Sequence, residues 1–233
     1  MSSLPHFRAA PRATLSFMRR HGGRLVLAAT LSVSGLAGGV AGWVGGVAQA
    51  QEVPAVDTQI ILNDPLSPTS GNPKGDVTIV AFFDYNCPYC KKSDPVIEKL
   101  ARKDGNIRIV YKDLPILTEA SVYGAQLVLG AKYQGKYHVA KDALMALPGS
   151  KVTPEAMQKA VAASGVDMTR LDRDLQAHGD EVMAYLRRTL GQARALGLQS
   201  TPVYLIGPYK VAAALDYDGY AEVVADARAQ NAQ

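Results

Sequence analysis

The fold is decided by the stretch VTIVAFFDYNCPYCKK, residues 77–92. Its first seven residues, 77–83, are almost entirely apolar, which is typical of a strand buried on both faces of a sheet. Pro88 suits the first turn of a helix, where its missing N–H costs no hydrogen bond. The stretch therefore predicts a buried strand that leads into a helix, with Cys87 and Cys90 at the helix start.

These are the only two cysteines among the 233 residues. Three positions apart on a helix, their sulfurs can be joined or separated without a change of backbone. The N–H groups and dipole of a helix N-terminus favour a thiolate, so we expect a lowered pKa and the greater exposure at Cys87. The pair predicts a redox-active dithiol, in which Cys87 is the nucleophile and Cys90 resolves a mixed disulfide.

Two other uses of the cysteines are less favourable. A structural zinc site needs about four ligands, and the chain offers two cysteines and four histidines without a second paired motif. A structural disulfide usually closes a longer loop, because its stabilisation grows with loop length. We therefore predict no metal, and no cofactor apart from the Cys87–Cys90 disulfide itself.

The first 50 residues have the pattern of an export signal. They contain five arginines and no acidic residue, residues 25–47 are uncharged, and the segment ends in Ala48-Gln49-Ala50. This pattern predicts a secretory signal peptide cleaved after Ala50. Residues 25–47 are long enough to span a bilayer, which leaves a membrane anchor as the alternative, although six of them are glycine. Export into an oxidising compartment, predicted to be the periplasm, suits a disulfide enzyme.

Removal of this segment also removes the basic excess of the chain. The whole sequence has 25 Lys and Arg against 21 Asp and Glu, and five of the basic residues lie before residue 51. The remaining chain has a net charge of about −1, so we predict no binding to nucleic acid. Its 183 residues suit one domain with one insertion.

Residues 51–76 contain four prolines and are predicted to form an extended arm or linker, with a short edge strand at 58–62. The helix after the cysteines and a strand at 107–111 complete a β-α-β unit. Apolar spacing predicts helices throughout residues 118–196. The end of the chain predicts a hairpin and a helix, at 203–206, 209–213 and 218–229.

A β-α-β half and a β-β-α half are the two parts of the thioredoxin fold. The predicted class is therefore α/β, with a thioredoxin-fold domain formed by residues 77–117 and 197–233. An all-helical domain, residues 118–196, is inserted between the halves.

With these elements in place, the chain resembles the DsbA-like exported thiol–disulfide oxidoreductases over nearly all of residues 72–230. That family carries a helical domain inserted into a thioredoxin fold. The resembling stretches are Gly75–Thr78, Phe83–Lys91, Lys112–Leu117, Gln134–Tyr137 and Ser200–Pro202.

The resemblance implies roles for four residues beside the dithiol. Pro88 and Tyr89 would tune the redox potential by shaping the turn between the cysteines. Thr201 and Pro202 would form a cis-proline loop packed against the dithiol, and the Thr201 backbone would pair with extended substrate. The sequence alone leaves an ordinary trans peptide bond open, because cis X–Pro bonds are uncommon.

One position departs from the family pattern. Many relatives carry a buried acidic residue six positions before the first cysteine, where it helps to move the proton of the buried thiol, and this chain has Ala81 there. Asp84 is the nearest acidic residue in sequence. It is a candidate proton relay, and a solvated or helix-capping carboxylate is the alternative.

The resemblance also implies partners. Unfolded or partly folded exported proteins would be the substrates, and a membrane redox partner would reset the dithiol. We predict oxidase activity, with a disulfide isomerase or reductase, or a peptide-binding envelope chaperone with a secondary dithiol, as alternatives. Similar isomerases oligomerise through a helical N-terminal stalk, whereas residues 51–76 are short and rich in proline, so we predict a monomer.

Overall fold

The computed structural model describes residues 58–231, and within that range it has seven helices and five strands. The helices are α1 (Thr58–Asn63), α2 (Pro88–Asp104), α3 (Glu119–Lys132), α4 (Tyr137–Met145), α5 (Pro154–Ala163), α6 (Met168–Ala195) and α7 (Tyr217–Asn231). The strands are β1 (Thr69–Gly71), β2 (Val77–Phe83), β3 (Ile107–Asp113), β4 (Val203–Ile206) and β5 (Tyr209–Val211). The predicted signal peptide, residues 1–50, lies outside the described range. No helix within that range is long and apolar enough to cross a membrane.

The five strands form one sheet in the order β1-β3-β2-β4-β5. β2 and β3 are parallel, and α2 connects them, whereas β1, β4 and β5 each pair antiparallel with their neighbours. The central strand β2 therefore has β3 on one side and β4 on the other. This arrangement confirms the predicted thioredoxin fold, with helices packed against a mixed sheet.

Strand β2 is buried on both faces of the sheet, as its apolar sequence predicted. One face carries Ile79 and Ala81 and belongs to the larger apolar core, which continues into α2, α7 and the helices α3–α6. The other face carries Val80 and Phe82 and is covered by Ile61 of α1 and by residues at the end of α6. The helical block therefore shares one continuous core with the sheet.

The prediction of an edge strand at residues 58–62 was wrong, because these residues form the helix α1. Ile61 is 1% exposed and packs under the sheet, whereas Ile60 is 51% exposed, so the segment buries one side only. The edge strand on the β3 side of the sheet is β1, which pairs with β3 through Thr69 opposite Val110.

Two strand ends also differ from the prediction. β3 continues to Asp113, because Lys112 and Asp113 pair with the last two residues of β2. β5 ends at Val211, which lies opposite Tyr204. Strand β4 starts only one residue earlier, so a longer β5 would have little to pair with.

Candidate active site

Cys87 caps the N-terminus of α2. Its backbone is extended, with φ −83° and ψ 113°, and Pro88 follows in the first turn of the helix. The Cys90 backbone N–H donates a hydrogen bond to Cys87 Sγ at 3.2 Å, and both cysteines are free thiols. The strand β2 and the helix α2 thus bring the two sulfurs together at the end of the sheet where β2 stops.

The surroundings of the two thiols shift their pKa values in opposite directions. The pKa of Cys87 is lowered to about 6, chiefly by a hydrogen bond from the Cys90 thiol. Smaller contributions come from the Thr201 side chain and from the backbone N–H groups of Cys90 and Tyr89. Together with the Cys90 thiol, these donors outweigh the cost of burial. Burial is the main reason that the pKa of Cys90 is raised, and the neighbouring Cys87 adds to it. The pair can therefore hold one thiolate and one thiol.

Cys87 is the more exposed cysteine by a small margin only, and both cysteines are buried. Cys87 is 2% exposed and Cys90 is 1% exposed. Cys87 is covered because its Sγ lies 3.2 Å from the carbonyl oxygen of Thr201, a residue 114 positions away in the chain. Tyr89, between the two cysteines, is 65% exposed and forms the outer surface of the motif.

Thr201 and Pro202 lie directly before β4, and the peptide bond between them is cis, as the resemblance implies. This contact places the loop against Cys87 on the β4 side of β2. Its predicted contact with substrate stays a prediction.

Asp84 is fully buried and holds the loop between β3 and α3. Its carboxylate accepts hydrogen bonds from the backbone N–H groups of Ile116 and Leu117 at 2.9 and 3.0 Å. It also accepts from the Ser121 hydroxyl at 2.6 Å and from the Asn86 N–H at 2.7 Å. The alternative of a solvated Asp84 carboxylate is therefore wrong. The contacts are those of a residue that anchors a loop, and the role of Asp84 as a proton relay stays a prediction.

A second buried carboxylate, Asp113, was missed in the sequence. It is 1% exposed and accepts hydrogen bonds from the hydroxyls of Tyr85 at 2.7 Å and Tyr137 at 3.1 Å. Burial raises the pKa of Asp113 to about 6. The available signal was an acidic residue at the end of an apolar strand, but the tyrosine partners come from distant parts of the chain.

Ser93 is a further residue that the sequence did not single out. Its hydroxyl donates to the carbonyl oxygens of Tyr89 and Cys90 and lies 2.6 Å from the Tyr204 hydroxyl. It therefore ties the turn of α2 that carries Cys90 to strand β4. Across residues 58–231, no group of three or more His, Cys, Asp or Glu side chains is placed to hold a metal ion.

Comparison with known proteins agrees with this arrangement. The family model Thioredoxin_4, described as thioredoxin, matches residues 63–226. A solved thioredoxin-like oxidoreductase from Silicibacter pomeroyi DSS-3 has 36% sequence identity and a TM-score of 0.68, and the similarity covers 73% of this chain and 96% of that one. The thiol:disulfide interchange protein DsbA of Burkholderia cepacia is 30% identical over 139 residues, which cover 54% of this chain and 61% of the relative.

Some relatives are much longer proteins. The Na(+)/H(+) antiporter NhaA 1 of Mycobacterium sp. (strain KMS) is 26% identical over 139 residues, 58% of this chain but only 22% of the antiporter. The chain thus spans about a fifth of the length of such curated relatives. Since the family model covers more than half of the chain, the chain belongs to the thioredoxin family and, as the sequence predicted, is similar within it to the DsbA-type thiol–disulfide oxidoreductases.

Proposed function

We propose that the protein oxidises cysteine pairs in exported polypeptides and that the Cys87–Cys90 disulfide is the oxidant. The observation that carries this proposal is the opposite shift of the two pKa values, lowered to about 6 at Cys87 and raised at Cys90. A thiolate exists only in the reduced dithiol. Contacts that stabilise it therefore stabilise the reduced enzyme and make the disulfide a stronger oxidant.

The reaction begins when a substrate thiolate attacks Cys87 Sγ in the disulfide form. A mixed disulfide forms, the bond to Cys90 breaks, and Cys90 Sγ leaves with the electron pair and takes up a proton, as its raised pKa favours. A second substrate thiolate then attacks the substrate sulfur, and Cys87 leaves as a thiolate. The substrate dithiol loses two electrons and two protons. The enzyme gains the two electrons and the proton on Cys90, and the other proton goes to solvent.

The neighbouring residues have supporting roles in this proposal. Pro88 and Tyr89 shape the turn that sets the potential of the dithiol. Thr201 and Pro202 present an extended backbone edge, at which the substrate segment around its cysteine would bind. The support is the contact of the Thr201 carbonyl with Cys87 Sγ.

We further propose that the enzyme works in the periplasm as a monomer and is reoxidised by a membrane redox partner. The support is the signal-like pattern of residues 1–50 and the similarity to a protein named thiol:disulfide interchange protein DsbA. Unfolded or partly folded polypeptides are the proposed substrates, because the exchange needs accessible cysteines.

The test is the reduction potential of the Cys87–Cys90 pair. The full chain is equilibrated in glutathione buffers of increasing oxidised fraction, the thiols are trapped by alkylation, and the reduced fraction is read by mass. Such dithiols range from about −120 mV for strong oxidants to about −270 mV for reductants.

A value near the oxidising end supports the proposed oxidase. A value of about −200 mV or lower contradicts it and favours a reductase or isomerase that receives electrons from its membrane partner. A pair that stays oxidised in every buffer would indicate a structural disulfide and would overturn the whole proposal.

A further inference from the structure

Asn86, the residue before the nucleophile, has contacts that the exchange reaction does not explain. It is 0% exposed. Its side-chain oxygen accepts a hydrogen bond from the Val152 N–H at 2.9 Å. Its side-chain nitrogen donates to the Val152 carbonyl oxygen at 3.4 Å and to the Thr118 hydroxyl at 2.9 Å. An amide suits this position, because it offers an acceptor and two donors in one group.

These contacts hold one end of the loop between α4 and α5, residues 146–153, which we name the α4–α5 loop. The side chain of Val152 is buried in the larger core, so the backbone of the loop is fixed from both directions. Asn86 thus binds both polar backbone groups of a single loop residue.

The middle of the same loop is held from the other side of the cysteine motif. Lys91, directly after Cys90, donates to the Gly149 carbonyl oxygen at 2.8 Å. Gly149 has φ +80°, a conformation that glycine adopts without strain. The α4–α5 loop is therefore tied to the residue before Cys87 and to the residue after Cys90, and its residues 148–151 are exposed.

The sheet order places this loop and the cis-proline loop on opposite sides of Cys87. Thr201 directly precedes β4, which lies on one side of β2. Thr118 follows β3, which lies on the other side of β2, and the Asn86 side chain bonds to both Thr118 and Val152. Cys87 and the exposed Tyr89 lie between these two sides. The two loops therefore flank the cysteine motif, and an extended polypeptide bound in a cleft between them would contact both.

We propose that the α4–α5 loop is the second wall of the polypeptide-binding cleft and that Asn86 is the positioning residue that holds it there. This inference rests on the proposed thiol–disulfide exchange. A small thiol needs only the sulfur of Cys87, whereas a polypeptide gains binding energy from the walls. Loss of the Asn86 tie therefore weakens exchange with polypeptides more than exchange with small dithiols.

The test compares two substrates in the oxidised full-length protein. One is a peptide of ten residues with a central cysteine pair, and the other is dithiothreitol. For Asn86→Ala we expect the ratio of the peptide kcat/KM to the dithiothreitol rate constant to fall about tenfold. The size is that expected for the loss of one or two hydrogen bonds that position a binding surface. The change should come mainly from a higher KM for the peptide. The matched control is Asn72→Ala, which removes a side chain with three hydrogen bonds at the opposite end of the sheet, and its ratio should equal that of the wild type.

A second pair of variants tests the other tie and does not disturb the core. Lys91→Met removes the bond to Gly149, whereas Lys92→Met removes the same charge at an exposed position. Only Lys91→Met should lower the peptide-to-dithiothreitol ratio. If Asn86→Ala does not fold, this pair of variants alone tests whether the α4–α5 loop contacts the substrate.

The outcomes separate the two proposals. If the wild type exchanges with neither substrate, the proposed function fails. If the wild type reacts with both, and the variants lose both rates equally or keep the wild-type ratio, the second wall is overturned and Asn86 has only a structural role.

Discussion

Cys87 and Asp113 both have almost no exposed surface, at 2% and 1% exposure, yet their surroundings shift their pKa values in opposite directions. The pKa of Cys87 is lowered to about 6, whereas burial raises the pKa of Asp113 to about 6. Cys87 accepts hydrogen bonds from the Cys90 thiol and from backbone N–H groups at the start of a helix. Asp113 accepts hydrogen bonds from two tyrosine hydroxyls, but these lower its pKa by less than burial raises it. At Asp113 the loss of water is the largest influence on the pKa, whereas at Cys87 the hydrogen-bond donors outweigh the cost of burial. The balance of donors against burial therefore sets the direction of each shift.

The largest expected effect comes from removal of the stabilised sulfur itself. We expect Cys87→Ser to lower the rate of disulfide exchange about 10⁴-fold or more, because the covalent nucleophile is lost. In the reverse direction, Cys87 of reduced Cys90→Ser should still attack a substrate disulfide. The mixed disulfide at Cys87 should then accumulate, because the resolving thiol is missing, and it is visible by mass. Substantial exchange by Cys87→Ser would show that the dithiol is not the reacting group.

The pH dependence of alkylation tests the Cys87 side of the comparison. In the reduced protein, the rate at Cys87 should be half-maximal near pH 6, instead of near the ordinary cysteine pKa of about 8.5. The lowered pKa stabilises the reduced fold above pH 8.5, and this contribution is lost as the pH falls through 6.

A variant sharpens the same measurement. Cys90→Ala removes the donor that contributes most to the low pKa, so the midpoint at Cys87 should move upward. An unchanged midpoint would assign the shift to the helix start alone. A midpoint of 8 or above in the wild type would contradict the electrostatic account.

Asp113→Asn tests the other side of the comparison. Because the folded pKa is raised above the unfolded value, the wild type loses stability as the pH rises from about 4 to 6. The variant has no such charge to bury, and asparagine still accepts a hydrogen bond. Its free energy of unfolding relative to the wild type should therefore rise by roughly 2–3 kcal/mol between pH 4 and pH 7.

Urea denaturation at both pH values measures this difference. The matched control is Asp226→Asn, an exposed carboxylate on α7. Its stability relative to the wild type should change little over the same range. If Asp113→Asn behaved like this control, the buried carboxylate would not carry the predicted penalty.

Local and distant contacts explain what the sequence could predict. Strand β2 and the start of α2 were predicted correctly, because apolar burial and helix capping act among neighbouring residues. The segment at 58–62 was misassigned because a short apolar run suits a helix or a strand, and only packing of Ile61 under the sheet decides between them. The cover over Cys87 and the two bonds to Asp113 join residues 24 to 114 positions apart, and nothing in the local pattern indicates them.

The smallest expected effect concerns the support beneath Cys90. Tyr204→Phe removes a hydroxyl that lies 2.6 Å from Ser93 Oγ, while Ser93 keeps its bonds to Tyr89 and Cys90. We expect a loss of about 1 kcal/mol in the free energy of unfolding, as for one hydrogen bond between neutral groups. Tyr209→Phe, at a half-buried position in the next strand, should cost less in the same urea titration. A loss of stability well above that of one hydrogen bond would mean that Tyr204 also sets the position of Cys90. The alkylation midpoint of Cys87 should then shift in the same variant, because the Cys90 thiol is the main hydrogen-bond donor to Cys87.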